Sequence, residues 1–252
     1  NRVDFKDWVP PALVYFKRFR QKPALLTSFF KNLERLTYFL LVTRVGINER
    51  IEIYADLTKE IEPEAFDGEL AALKTLTLTD RQKRDFIAAL DGDIYKRLPR
   101  ARMALALRLE ALLSDGSKKQ AFDQLSLEHV LPQTPPEGSE WMKWFPDEDL
   151  RESWTHRLAN LVPLHARKNP AASNYDFATK KNVYFRGKNG TASPFILTNE
   201  VRIEGEWTPA LLDVRQQRLV GVLNKHWDLD AGIGSSSAGS PAPDGTTASL
   251  QE

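Results

Sequence analysis

The sequence predicts a mainly α fold with two short strands set into its second half. Three observations predict it. Apolar residues recur at helical spacing through the first 115 residues, as in Leu33, Leu36, Phe39 and Leu40. Proline and glycine punctuate that half at Pro10, Pro11, Pro23, Gly46, Gly92 and Pro99, where helices should start and stop. In the second half, the apolar runs 126–133 and 158–164 are short and read as strands.

Composition bounds the rest. The 252 residues are 42% apolar and 27% charged, enough for a sizeable core in one large domain or two ordinary ones. The net charge is +1, so affinity for nucleic acid has to come from local patches. The absence of cysteine excludes disulfides and thiolate zinc sites and agrees with a reducing cytoplasm. No signal peptide is present and no apolar run approaches eighteen residues, so the sequence predicts no membrane span. A start at Asn1 rather than Met suggests an excised fragment or a processed product.

Taken in order, residues 1–115 predict a helical scaffold with no catalytic set. Thr79 and Gln82 form a capping box ahead of Phe86, Ile87 and Leu90. A helix over 100–113 follows, with Leu105, Leu109, Leu112 and Leu113 on its apolar face. Residues 116–228 hold the strands and what surrounds them. Between the strands lie Trp141, Trp144, Phe145 and Trp154, aromatics that could stack bases but more often pack a core. A helix is expected through Asn174, Phe177, Lys180 and Lys181. Residues 194–198 read as a strand or the start of a short helix. Thr208 and Pro209 then open a long helix as N-cap and first residue. Arg215 and Arg218 on that helix read as surface or ion-pair residues. The tail 229–252 is rich in Gly, Ser, Ala, Pro and Thr and should be disordered.

The residues that carry chemistry sit on the two strands and just after them. Glu128 and His129 are neighbours near the end of the first strand, Asn160 opens the second, and Asn169 follows in a loop before Pro170. Hydrolysing a phosphodiester needs an activated water and compensation of charge on the phosphate. A neutral histidine can take a proton from water near pH 7. One Mg²⁺ can offset the phosphate charge, and it needs only one or two protein oxygens. Glu128 and Asn169 offer such oxygens. Neighbouring side chains on a strand diverge, so Glu128 and His129 point apart unless the backbone turns, and Pro132 marks an ending. Each residue also has an ordinary role: His129 as a hydrogen-bonded strand residue, Asn160 as a turn residue, Asn169 as a helix N-cap, Glu128 as a solvated carboxylate. A zinc pair of His156 and His165 matches no common spacing.

From His156 to Lys188 there are seven basic residues against one acid, Asp176, a local charge of +6. Arg167, Lys168, Lys180, Lys181, Arg186 and Lys188 are the expected contacts to a phosphate backbone, with a solvated face as the plain alternative.

Glu-His-Val-Leu-Pro-Gln at 128–133 resembles the first strand of HNH (ββα-metal, His-Me finger) nucleases. Asn160-Leu161-Val162 resembles their second strand, and Lys168-Asn169-Pro170 the start of their metal-binding helix. The order from His129 through the Trp-rich insert to 158–164 and 169–181 is similar to the C-terminal nuclease domain of GmrSD-type bacterial restriction proteins, over roughly 110–228. The resemblance implies a helical scaffold with an embedded ββα-metal module. It implies His129 as general base, Asn160 as the residue that orients it, and Glu128 and Asn169 as ligands of Mg²⁺ or Mn²⁺. It further implies a double-stranded DNA substrate and defence against foreign or modified DNA in the bacterial cytoplasm. An N-terminal sensor or NTPase domain of the full-length protein is the implied partner, with a homodimer as a further one. Phosphorothioate-sensing defence nucleases are related in architecture. The family has Gly before the middle asparagine where this chain has Ala159, a change that a negative φ tolerates. The competing reading is a DNA-binding or assembly module whose nuclease site is vestigial.

Overall fold

The computed structural model describes residues 5–114, 124–165, 174–186 and 190–230. Helices carry most of them. Helix α1 spans Val9–Phe19, α2 Pro23–Val42 and α3 Ile47–Ile61. Proline stands in the first turn of both α1 and α2, where its missing N–H costs nothing. Helix α4 spans Asp80–Leu90 behind the Thr79–Gln82 capping box, which forms with both reciprocal bonds. The short α5, Ile94–Arg97, is capped by Asp93. Pro99 separates it from α6, Arg102–Leu113, which buries Leu105 and Leu109 as the spacing predicts.

Strands β1, Leu125–His129, and β2, Leu161–His165, pair antiparallel, with Glu128 opposite Val162 and His129 opposite Leu161. Between them lie α7, Glu140–Trp144, and α8, Glu148–Thr155. Trp141 and Phe145 have no exposed surface and Trp154 little, so the aromatic insert is core. After β2 come α9, Phe177–Thr179, and a π-helical turn, Lys180–Tyr184. Residues 196–203 settle as helix α10, Ile196–Ile203, rather than strand. Its first two N–H groups, on Ile196 and Leu197, donate to the Glu110 carboxylate of α6 at 2.7 and 2.8 Å. Helix α11, Pro209–Trp227, is capped by Thr208 as expected.

A continuous apolar core runs from α1 to the end of α11. Trp227 at the end of α11 stacks on Phe86 of α4 and tilts against Tyr38 of α2. The hairpin leans one face on α6, through Leu127, Leu161 and Ala106. The junction expected at 115–116 lies at the edge of 115–123, outside the described residues. Of the expected tail, Leu229 and Asp230 are described, and Leu229 is buried. Among the described residues no helix is long and apolar enough to cross a membrane.

Candidate active site

The site is built on the end of β1. The strand stops at His129, so Glu128 and His129 keep the alternation of a strand and point to opposite faces of the hairpin. Both are buried, at 5% and 4% exposure, so each needs a partner.

On one face Glu128 meets Lys180. The Lys180 ammonium donates to Glu128 Oε1 at 2.9 Å and to the His129 carbonyl at 2.6 Å. Lys180 has no exposed surface. Burial pushes the Glu128 carboxyl pKa up and the Lys180 ammonium pKa down, each against the pull of its partner. The Phe177–Thr179 helix that delivers this lysine is itself held. Asp176 caps Thr179, Glu140 accepts from the Phe177 N–H at 2.6 Å, and Phe177 packs edge-on against Trp141 and Trp144.

On the other face His129 meets His156. His129 Nε2 lies 3.2 Å from His156 Nδ1, and His156 is 5% exposed. The Tyr95 ring covers both, edge-on to His129 at 4.1 Å and stacked on His156 at 5.8 Å. Arg102 lies 3.7 Å above the Tyr95 ring and donates to the Tyr95 carbonyl. Burial, and then the nearby His156, Lys180, Arg102 and Lys96, hold the His129 pKa down to about 3. Burial also lowers His156, with Lys96 adding to the effect, while Asp93 and Glu152 oppose it. Both imidazoles are therefore neutral at neutral pH.

Asn160 fixes the backbone beside this pair. Its Oδ1 accepts from the Leu131 N–H at 2.7 Å and from Trp207 Nε1 at 3.0 Å. Its Nδ2 donates to the carbonyls of Leu131 and Thr155. All four positions of the carboxamide are engaged, and Asn160 has no exposed surface. The 3₁₀ turn Leu158–Asn160 is gripped by α11: Arg215 Nε donates to the Ala159 carbonyl, and Gln216 Oε1 accepts from the Ala159 N–H. Positive φ at non-glycine residues occurs at Arg44 and Asp228 among the described residues, so Ala159 sits without strain where glycine is usual.

These contacts revise several expectations. Lys180 was expected on a basic surface; it is instead the buried counter-ion of Glu128, because Phe177 and Lys180 are one helical turn apart and share the buried side. That spacing was the available signal. Asn160 was expected to orient the His129 ring; its side chain instead holds the backbone of Leu131 and Thr155. Lys181 is half-buried, donating to the Glu204 carbonyl at 2.6 Å and lying over the Phe177 ring. Arg186 is exposed and donates to Asn182. Arg215 is buried and pairs with Glu200, while the half-exposed Arg218 pairs with the same carboxylate. Asn169, Arg167, Lys168 and Lys188 lie outside the described residues. His156, Tyr95, Lys96 and Arg102 were not expected around His129. Their one sequence cue is a histidine lodged between Trp154 and Leu158, and it does not name its partner.

A divalent metal was expected at Glu128 and Asn169. As placed, Glu128 does not suit one, since an ammonium already holds its carboxylate at 2.9 Å. Among the described residues no group of three or more His, Cys, Asp or Glu is gathered to hold a metal ion.

The described residues thus define a helical protein with a two-stranded hairpin, bearing a neutral histidine pair on one face and a buried acid–lysine pair on the other. Residues 80–222, more than half of the chain, match the family described as GmrSD restriction endonucleases, C-terminal domain, and the chain belongs to that family. The matched span holds every residue of the site. No curated protein matches the chain.

Proposed function

We propose that this chain is the endonuclease portion of a bacterial defence protein and hydrolyses phosphodiesters of foreign or modified double-stranded DNA, with His129 as general base. The observation that carries this reading is the place of His129. It is buried at a strand end, held against His156, and it forms the acid–His pair of a chain belonging to a restriction endonuclease family. A neutral imidazole can accept the proton of an attacking water. Its low proton affinity reflects burial and positive neighbours. A bound phosphodiester would bring negative charge beside it and raise that affinity. Lys96 and Arg102 lie near enough to affect His129, and Arg186 is exposed, so phosphate could be met from these groups as well as from Arg167, Lys168 and Lys188.

Use of Mg²⁺ or Mn²⁺ belongs to the proposal on the strength of the Glu128–His129 and Asn169 motif order. When bound, the ion would offset charge on the phosphate. Glu128 could take part only with its contact to Lys180 opened. That contact is also what favours the second reading, a DNA-binding or assembly module with a vestigial site.

One hydrolytic centre per chain breaks one strand per encounter, so supercoiled plasmid should turn to open circles before linear DNA appears. Double-strand breaks would need a second chain. A plasmid time course with Mg²⁺ or EDTA, at two salt concentrations, tests this. Nicking that needs the metal and falls steeply with salt is expected. DNA bound but left intact with Mg²⁺ would establish the vestigial reading.

A further inference from the structure

We propose that His156 is a positioning residue of this site: its Nδ1 accepts a hydrogen bond from His129 Nε2–H and so leaves the Nδ1 lone pair of His129 free to take a proton. The 3.2 Å contact between two ring nitrogens requires one hydrogen between them. Only two arrangements of neutral rings supply it. If His156 donates, the lone pair of His129 is engaged at Nε2, its hydrogen sits on Nδ1, and the ring has nothing left to offer a water. If His129 donates, its Nδ1 is the open base. The choice between them rests on the nuclease reading above.

The contact is held from several sides. Tyr95 of α5 covers both rings, and its backbone N–H donates to the His156 carbonyl at 3.1 Å. Arg102 fixes Tyr95 in turn. Asn160 is not available for the task, because both lone pairs of its Oδ1 and both hydrogens of its Nδ2 are engaged elsewhere. Among the described residues, His156 is the polar side chain within hydrogen-bond distance of the His129 ring. An acceptor of this kind fixes both tautomer and ring orientation, and removing the corresponding partner of a metal-bound histidine costs about 10- to 100-fold in metal affinity or activity.

The test begins with ¹⁵N-histidine spectra of the whole chain, with His129 assigned through His129→Gln. The expected wild-type form carries its hydrogen on Nε2. A His129 ring with its hydrogen on Nδ1 overturns the proposal, whatever the chain does to DNA. In plasmid assays, His156→Phe should lower kcat by roughly 10- to 100-fold with KM for DNA nearly unchanged. His156→Gln, which keeps a neutral acceptor, should recover most of the loss. Equal loss in both variants, or a fully active His156→Phe, also overturns the proposal. Should His156→Phe fail to fold, the wild-type spectrum and His156→Gln still decide. If His129 carries its hydrogen on Nε2 yet the wild-type chain leaves plasmid intact, the positioning contact stands and the nuclease reading falls.

Discussion

The two faces of β1 bury adjacent polar residues by opposite means. Glu128 is accommodated as a charge with a counter-charge, Lys180, that reaches across 52 residues of sequence. His129 is accommodated as a neutral ring against another neutral ring, His156. A buried ion pair resists change because either partner alone is an uncompensated charge. A neutral pair carries no such penalty and keeps a lone pair for chemistry. The charged face joins the hairpin to Phe177–Tyr184, and on the proposed nuclease reading the neutral face is the one that reacts.

Breaking the neutral face should have the largest effect on rate. His129→Ala is expected to lower cleavage by about 10²- to 10⁴-fold while DNA binding stays nearly constant. Cleavage at the wild-type rate, measured on supercoiled plasmid, would remove His129 from the mechanism.

Breaking the charged face should act on stability. Lys180→Met strands the Glu128 carboxylate and should cost about 3–5 kcal/mol in denaturant unfolding. Adding Glu128→Gln should return part of that loss, because the orphaned charge is gone. A single-variant cost below about 1 kcal/mol would mean the pair does not secure the hairpin.

Per unit of pH the expected effect is the smallest of the three, and it sharpens the contrast. The unfolded chain protonates His129 near its ordinary value of 6.5, whereas the folded chain holds it to about 3. Between those values the unfolded state binds more protons. Stability is therefore full above about pH 6.5 and falls as pH is lowered toward 3, by up to about 1.4 kcal/mol per unit for one such group. His156 is lowered too and adds in the same direction. Melting His129→Gln across this range should show a shallower slope than wild type. Identical slopes would refute the assignment of the neutral state to burial.

What was legible in the sequence is what repeats or is local. The Thr79–Gln82 box, the Thr208–Pro209 start and the apolar spacing of α2 each announce themselves within a few residues, and all three form. The strands were legible as short apolar runs that pair in register. The contacts that make the site were not. His129 and His156 are 27 residues apart, and Glu128 and Lys180 52 apart. A single long-range pair leaves no period to read. Within the basic stretch 156–188, Lys180 misled for the same reason: counting charge gives no depth, and Lys180 is drawn inside by the helix phase of Phe177.

The carboxamide of Asn160 behaves toward Leu131 as a peptide unit borrowed from a side chain, accepting from its N–H and donating to its carbonyl. It thereby adds a rung beyond the last strand residue, where the main chain of β2 has already turned away. A rung made of one amide depends on having both a donor and an acceptor in the same group. Loss of ammonia from Asn160, the ordinary ageing reaction of asparagine, would leave an acceptor-only carboxylate facing the carbonyls of Leu131 and Thr155. The hairpin end that carries His129 would then be prised open by the exchange of one nitrogen for one oxygen, while the apolar packing around it stayed as it was.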